Sequence, residues 1–408
     1  MNWIDKIVAK SSRIEPICKD ELQLVDRLIE LAESSKYSSF SLGEKLAAFY
    51  DLAISVVYYT NVSNGGWLYC DDIHNPMLYL PYINCSPKDA LQGNFVFHKS
   101  SKPTSAKIGQ ATSRTLLLFF QSLFNKHNCG IDVLKACEPA DAIFIDKAGN
   151  NIYFAEIKSS PLLTMALATK CDRLSSIGTS GEAEYVDHQA TSNPNIINNN
   201  LFIMLPVMSD KGWIDKYFFL GKKTTADDEL FAYKGMMELI NDDNFISLYL
   251  EYWHASYILY GNKDESENIF WLTNACGKPS SLPPSWTGGV TCISDEKTSV
   301  GMDRTDDIKK GIYQVLKLGS EGKMINSHWK YKVGILSNIH PYRHFDIYIK
   351  PIKDLIWTIA KEKGITTAGE LRPDTPMYNL FDGIITFTKS YVRDSWILEH
   401  LKIIGLHE

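Results

Sequence analysis

The sequence lacks the features that assign many proteins to a class at once. None of its eight cysteines forms a Cys-x-x-Cys pair, which is the usual spacing of a zinc or redox site. No apolar run approaches the roughly 20 residues that span a membrane, and the first residues contain no apolar segment of the signal-peptide type. We therefore expect a cytoplasmic protein with reduced cysteines and no membrane partner.

Motifs of nucleotide-driven and nucleophilic enzymes are missing as well. The stretches GKKTT and GKPSS lack the spaced glycine of a phosphate-binding P-loop, and no dinucleotide-binding G-x-G-x-x-G occurs. There is no G-x-S-x-G nucleophile elbow and no H-E-x-x-H zinc motif. These absences disfavour an ATP-driven enzyme, and we expect no nucleotide cofactor.

The composition is that of a globular protein. The chain has 408 residues, of which 45% are hydrophobic and 22% are charged. At about 100–200 residues per domain, it can form two or three substructures.

The charge is unevenly distributed, although the net charge is only −6. No acidic residue lies between Asp89 and Asp132, and from Lys309 to Lys350 there are eight Lys or Arg against two acids. The basic residues of the two stretches are Lys99, Lys102, Lys107, Arg114 and Lys126, and then Lys309, Lys310, Lys317, Lys323, Lys330, Lys332, Arg343 and Lys350. Such asymmetry can form a basic cleft that neutralises phosphates. Two solvated faces are the alternative.

Apolar spacing predicts helices and strands along the chain. Thr112 or Ser113 is expected to begin a helix that ends near Asn128–Gly130. Thr305 is expected to cap a later helix, with Gly319 beyond its end. Residues 175–200 are polar enough to form a long loop. Further helices are predicted within 20–33, 43–59, 227–240, 246–259 and 349–364, and strands within 201–208, 216–221, 268–276, 331–339 and 381–388.

The most informative passage is DAIFID-KAGNN-IYFAEIK, residues 141–158. Two apolar segments joined by a Gly/Asn turn predict a β-hairpin. Asp141 opens the first strand, while Glu156 and Lys158 lie near the end of the second, so the turn brings them together. Alternation along a strand places Glu156 and Lys158 on one face and Ile157 on the other. Carboxylates so placed suit Mg²⁺, which prefers oxygen ligands and can polarise a phosphodiester.

These residues resemble the PD-(D/E)XK nuclease superfamily, with Pro139-Ala140-Asp141 and Glu156-Ile157-Lys158 as the matching positions. The family's Pro usually precedes the acid directly, and Ala140 intervenes here, which leaves Glu138 as the alternative first ligand. The resemblance implies that Asp141 and Glu156 bind Mg²⁺, with Mn²⁺ able to substitute. It also implies that the main-chain carbonyl of Ile157 is a ligand and that Lys158 positions or activates the attacking water.

The acid-x-Lys pattern alone is weak, because it recurs at residues 295–297, 307–309 and 321–323. Only the copy at 156–158 lies on a strongly apolar strand that follows an acid-led strand through a tight turn. The alternative is a surface hairpin with a cross-strand ion pair that contributes about 0.2–1 kcal/mol.

The expected fold is α/β, with a restriction-endonuclease-like core in which helices flank a central mixed β-sheet. The hairpin and a later helix–strand series are separated by about 140 residues, which indicates an interrupted core. We predict a helical N-terminal region over 1–90, a discontinuous nuclease core over 91–161 and 301–390, and an inserted region over 162–300 that can serve DNA recognition.

Within the superfamily, a chain of this size without an ATPase motif looks most like a type II restriction endonuclease. Such an enzyme cuts double-stranded DNA at a short site and is expected to be a homodimer. The alternatives are a repair or structure-specific nuclease of the same superfamily and a non-catalytic nucleic-acid-binding protein on a nuclease-like fold. The candidate DNA contacts are Lys99, Lys102, Lys107, Lys309, Gln314, Lys317 and Arg343.

Overall fold

The computed structural model divides into two compact units. The first contains residues 1–15, 116–159 and 301–408, and the second contains 16–115 and 160–300. The described residues are 2–63, 67–70, 76–80, 95–96, 103–177, 183–186, 194–210, 212–261, 301–303, 305–323, 325, 327–342, 344–358, 373, 375 and 377–407.

The first unit is built on a seven-stranded mixed sheet with the strand order β1-β5-β6-β7-β13-β16-β17. Strands β5, β6 and β7 form an antiparallel meander, and β13 pairs in parallel with both β7 and β16. The strands are β1 Ser12–Arg13, β5 Asp132–Lys135, β6 Ala142–Asp146, β7 Asn151–Ile157, β13 Lys330–Leu336, β16 Gly383–Ile385 and β17 Tyr391–Val392. A short antiparallel pair consists of β14 Ile356–Trp357 and β15 Tyr378–Asn379.

Helices cover both faces of this sheet, which confirms the predicted mixed sheet flanked by helices. On one face, Phe120 and Phe124 pack against Phe144, with ring centroids 5.8 and 5.5 Å apart. On the other, Ile308 and Val315 share one hydrophobic core with other buried side chains, among them Ile143, Phe154 and Ile335. The α-helices are α1 Trp3–Lys10, α4 Ser105–Lys126, of which residues 105–115 belong to the second unit, α7 Thr305–Gly322 and α8 Ser395–Ile403, and a π-helix spans Phe345–Ile349.

The second unit contains a six-stranded antiparallel sheet and, among its described residues, four further α-helices, a 3-10 helix at Ser35–Tyr37 and a π-helix at Tyr58–Val62. The sheet has the order β12-β11-β8-β3-β2-β4. Its strands are β2 Leu68–Cys70, β3 Met77–Leu80, β4 Phe95–Val96, β8 Ala166–Lys170, β11 Asn200–Ser209 and β12 Gly212–Lys222. A separate pair is formed by β9 Ser175–Ile177 and β10 Ala183–Val186. The helices are α2 Lys19–Glu33, α3 Leu42–Val57, α5 Phe231–Leu239 and α6 Asp243–Gly261.

A buried carboxylate organises the interior of the second unit. Asp51 Oδ2 accepts the backbone N–H groups of Leu162 and Leu163, both at 3.0 Å, and the indole N–H of Trp253 at 2.7 Å. These bonds fix the backbone at Leu162 and Leu163. Burial raises the pKa of Asp51 well above its usual value, while the three donors oppose the rise.

Two predicted helix ends are wrong. Helix α4 begins at Ser105 rather than at Thr112 or Ser113, because Thr104 Oγ1 accepts the Lys107 N–H at 3.3 Å and caps it earlier. Helix α7 continues past Gly319 to Gly322. A Cβ at Gly319 would lie 2.3 Å from the Leu380 carbonyl oxygen, so this glycine allows close packing and does not end the helix.

Further predicted elements differ from those in the structure. The predicted helix within 349–364 is wrong over its described part, where turns at 351–354 lead into β14. The predicted loop over 175–200 contains strands β9 and β10, and its last residue is the first residue of β11. The N-terminal region over 1–90 was predicted to be helical, but its described residues form the strands β1, β2 and β3 as well as three α-helices. The predicted strand at 268–276 lies outside the described residues. The predicted domain boundaries stay a prediction.

Candidate active site

The hairpin of β6 and β7 forms because its turn has the right residues. Asn150 has a positive φ of 54°, which asparagine tolerates, and the Gly149 N–H donates to Asp146 Oδ1 at 3.0 Å. The register then pairs Ala142 with Ala155 at the far end of the hairpin. The start of β6 and the end of β7 therefore lie side by side, as the sequence predicted.

Asp141 lies immediately before β6 and is fastened to β7 by two hydrogen bonds. Its backbone N–H donates to the Ala155 carbonyl at 3.1 Å, and its Oδ2 accepts the Ile157 N–H at 2.8 Å. Asp141 is exposed. Its carboxylate is thus held at a fixed place on the strand while remaining accessible from solvent.

Glu156 and Lys158 form an ion pair on the face of β7 that α7 covers. Lys158 Nζ lies 2.6 Å from Glu156 Oε1. Glu156 is 9% exposed, and the Lys158 side chain is 19% exposed. The Lys158 N–H donates to the Leu336 carbonyl at 3.0 Å, which holds the backbone here against the parallel neighbour β13. The pair therefore lies at the carboxyl ends of two parallel strands.

The electrostatics of Glu156 differ from those of an ordinary ion-paired glutamate. Burial, followed by the neighbouring carboxylate of Asp141, raises the pKa of Glu156 to about 7, although Lys158 opposes the rise. One ammonium group therefore does not balance the two carboxylates. A site with surplus negative charge in a partly desolvated place favours a cation or a proton.

The donor set fits a hard divalent cation. Within the described residues, no three side chains of His, Cys, Asp or Glu come together as a metal cluster. At this site two carboxylates interact, those of Asp141 and Glu156. Mg²⁺ is usually bound through one or two carboxylates and keeps several waters, so this pair suffices. The Ile157 carbonyl, which the resemblance implies as a further ligand, belongs to the residue whose N–H already bonds to Asp141.

Helix α7 supports the site from one side. Gln314 Nε2 donates to the Pro139 carbonyl and so holds the turn that precedes Asp141. Gly311 lies against Lys158, since a Cβ built there would be 3.6 Å from Lys158 Cγ. Sequence reasoning missed Gly311. Its signal was a glycine in the middle of a strongly amphipathic helix, where it costs about 1 kcal/mol relative to alanine.

The remaining predicted residues are dispersed. Glu138 is exposed, and the contacts that join this turn to β7 come from Asp141. Lys309 and Lys317 are exposed on α7, whereas the exposed Lys107 belongs to the second unit. Lys99, Lys102 and Arg343 lie outside the described residues.

Several basic residues of the two stretches bind buried partners inside the fold and so add little charge to the surface. Lys323 bonds to buried Asp382 at 2.6 Å, and buried Lys332 bonds to Asn151 at 3.0 Å. Arg114 pairs with buried Glu21 through both guanidinium nitrogens. The local charge counted from the sequence therefore overstates the basic surface.

Comparison with known proteins gives no match to a family model, a curated protein or a solved structure. Among the described helices, none combines the length and the apolar character needed to cross a membrane. The functional argument therefore rests on the geometry of the site.

Proposed function

We propose that the protein is a metal-dependent DNA endonuclease that hydrolyses phosphodiesters at Asp141, Glu156 and Lys158. The observation that carries the proposal is the surplus charge at the end of β7, where two carboxylates share one ammonium group and the pKa of Glu156 is raised to about 7. The order of elements supports it too. In the superfamily that the sequence resembles, a helix and then a further strand follow the Lys-bearing strand. Here α7 and the parallel neighbour β13 come after β7, with residues 160–300 of the second unit between β7 and α7.

Each side chain has a separate part in the proposed reaction. Asp141 and deprotonated Glu156 would hold Mg²⁺, which would polarise the phosphate and lower the pKa of a water molecule. Lys158, fixed beside Glu156, holds the attacking water or an oxygen of the phosphate. The water oxygen would form a bond to phosphorus and lose a proton to solvent, one P–O ester bond would break, and the leaving alkoxide would take up a proton from solvent. Gln314 keeps Asp141 in place through the Pro139 carbonyl.

The type II restriction role stays a prediction, as do the homodimer and the recognition role of residues 162–300. A restriction enzyme and a structure-specific nuclease can use the same three side chains. They differ in the DNA that they bind. The choice between them therefore depends on surfaces around the site.

Cleavage of defined DNA tests the proposal. We expect plasmid and oligonucleotide DNA to be cut in Mg²⁺ or Mn²⁺ without ATP, and the mapped ends will show whether the cuts lie at one sequence. Asp141→Ala should abolish cleavage and leave DNA binding largely intact. Robust cleavage in excess EDTA, or equal cleavage by Asp141→Ala, would contradict the proposal.

A further inference from the structure

The outer surface of α7 carries an aromatic ring among lysines. We define this surface by Lys309, Lys310, Tyr313 and Lys317, all exposed. Tyr313 is 68% exposed, the highest value among the exposed large hydrophobic side chains of the described residues. Lys309 and Lys317 lie four residues before and after it, so the three share one face of the helix. No acidic residue occurs between Ile308 and Ser320.

This surface begins beside the candidate active site. Gln314, the neighbour of Tyr313, bonds to the Pro139 carbonyl, and Gly311 lies against Lys158. At about 100° per residue, Lys310 and Lys317 lie between Gln314 and Tyr313 around the helix. A nucleic-acid strand held at the site can therefore pass the two lysines and reach the ring.

The side chains of this surface match one kind of ligand. Lysines bind phosphates, while an exposed aromatic ring offers its face to a base, and the combination is typical of proteins that bind single strands. In an intact duplex the faces of the bases are stacked on one another, so a tyrosine on a helix surface meets only phosphates or base edges. The ammonium of Lys309 lies 5.6 Å from the centroid of the Tyr348 ring, so a neighbouring segment already holds this lysine.

We propose that Tyr313 stacks on an unpaired base of the DNA strand that is cut, while Lys310 and Lys317 bind its phosphates. The substrate is then DNA with unpaired bases next to the cleaved bond, such as a flap, a tail or a single strand. This inference rests on the proposed nuclease function and selects the structure-specific alternative over a restriction enzyme.

Binding to matched oligonucleotides tests the proposal. The full-length Lys158→Ala protein, which should not cleave, is titrated by fluorescence anisotropy in Mg²⁺ with a labelled single strand, a blunt duplex of the same sequence and a duplex with an unpaired tail. Adding Tyr313→Ala should weaken binding of the single strand and the tailed duplex about 5- to 150-fold, the range for loss of one stacked base. Blunt-duplex binding should change less than twofold, and Tyr313→Phe should retain binding.

Ile403→Ala is the matched control, because Ile403 is 52% exposed on α8 of the same unit and should leave every affinity unchanged. If Tyr313→Ala weakens the binding of duplex and single strand equally, or weakens neither, the proposed stacking of Tyr313 on an unpaired base is overturned. An RNA strand of the same sequence is a further arm, and tighter binding together with cleavage of RNA would overturn the assignment to DNA.

Cleavage by the protein with Lys158 intact separates this inference from the proposed function. If blunt duplex is cut as well as tailed duplex and Tyr313→Ala changes neither rate, the stacking is wrong and the nuclease stands. If no substrate is cut while binding still depends on Tyr313, the nuclease is wrong and the single-strand surface stands as a binding surface only.

Discussion

Two ion pairs of the first unit have the same length and different surroundings. Lys158 Nζ lies 2.6 Å from Glu156 Oε1, and Lys323 Nζ lies 2.6 Å from Asp382 Oδ2. Asp382 Oδ2 also accepts the Val333 N–H at 2.8 Å, so two donors meet one buried acid. At Glu156 a second acid, Asp141, has the largest influence on the pKa after burial, whereas at Asp382 the Lys323 ammonium comes next after burial and a second acid, Asp394, comes last.

The difference separates a structural pair from a candidate catalytic pair. Burial and, more weakly, Asp394 raise the pKa of Asp382, but Lys323 and the Val333 N–H favour its charged form. Lys323, the residue after α7, ties the end of this helix to Asp382 beside β16. At Glu156 the second carboxylate adds to the effect of burial. A buried acid that accepts from two donors on one oxygen stabilises the fold, whereas an acid whose nearest strong influence is a second carboxylate can bind a cation.

The largest expected difference between the two pairs is in catalysis. Lys158→Met should lower the cleavage rate about 10²- to 10³-fold, the usual cost of removing one positioned hydrogen-bond donor from an active site. Lys323→Met should cleave at close to the wild-type rate when assayed well below its melting temperature. Initial cleavage rates on one DNA substrate in Mg²⁺ compare the two variants. Equal losses of rate in Lys158→Met and Lys323→Met would contradict the distinction between a catalytic and a structural ion pair.

Stability should show the reverse order. Lys323→Met leaves Asp382 buried without its ion-pair partner, so the free energy of unfolding should fall by about 3–5 kcal/mol. Lys350→Met breaks the exposed pair with Asp346, which is 3.0 Å long, and should cost less than about 1 kcal/mol. Urea denaturation measures both variants. A small loss for Lys323→Met would show that its buried pair contributes little to the fold.

Stability should also depend on pH through Glu156. The folded protein keeps the Glu156 proton up to about pH 7, whereas the unfolded chain releases it near 4.5, so stability falls as pH rises through this window. In EDTA at pH 8, Glu156→Gln should therefore stabilise the protein by up to about 3 kcal/mol. At pH 4.5 the gain should largely vanish, and Glu321→Gln is the exposed control. Destabilisation by Glu156→Gln at pH 8 would contradict the surplus charge.

The smallest effects are expected at Gly311. A Cβ there meets Lys158 Cγ and Ile335 Cδ1 at ordinary contact distances of 3.6 Å, so Gly311→Ala should cleave normally and gain about 0.5–1 kcal/mol in unfolding free energy. Gly311→Leu should lower the cleavage rate, because its longer side chain displaces Lys158. Paired rate and denaturation measurements check this. Equal rates for the two variants would show that Lys158 needs no support from α7.

The site was more predictable than its surroundings because its signal is local. Alternation along a strand and a Gly/Asn turn suffice to bring Asp141, Glu156 and Lys158 together. The pairing of Lys323 with Asp382 was not predictable, since the two residues are 59 positions apart and only the folded sheet joins them. The same holds for buried Lys332, which counted as surface charge in the sequence.

The secondary structure was predictable where a sequence pattern is compatible with only one kind of element. The apolar stripe of α7 and the strand β13 follow from periodicity. Gly319 has two meanings, a helix end or a close approach to a neighbouring backbone, and only the Leu380 carbonyl decides between them. The apolar run before Lys361 has helical spacing, yet Ile356 and Trp357 pair with Tyr378 and Asn379 as strands.

Binding of Mn²⁺ tests most directly whether Asp141 and Glu156 form a metal site. Calorimetric titration of the full chain at pH 8 should detect a site that Asp141→Asn abolishes and Asp382→Asn leaves intact. Because the pKa of Glu156 is about 7, the affinity at pH 6 should be about tenfold weaker through proton competition. Binding that survives Asp141→Asn, or that does not change between pH 6 and pH 8, would contradict the account.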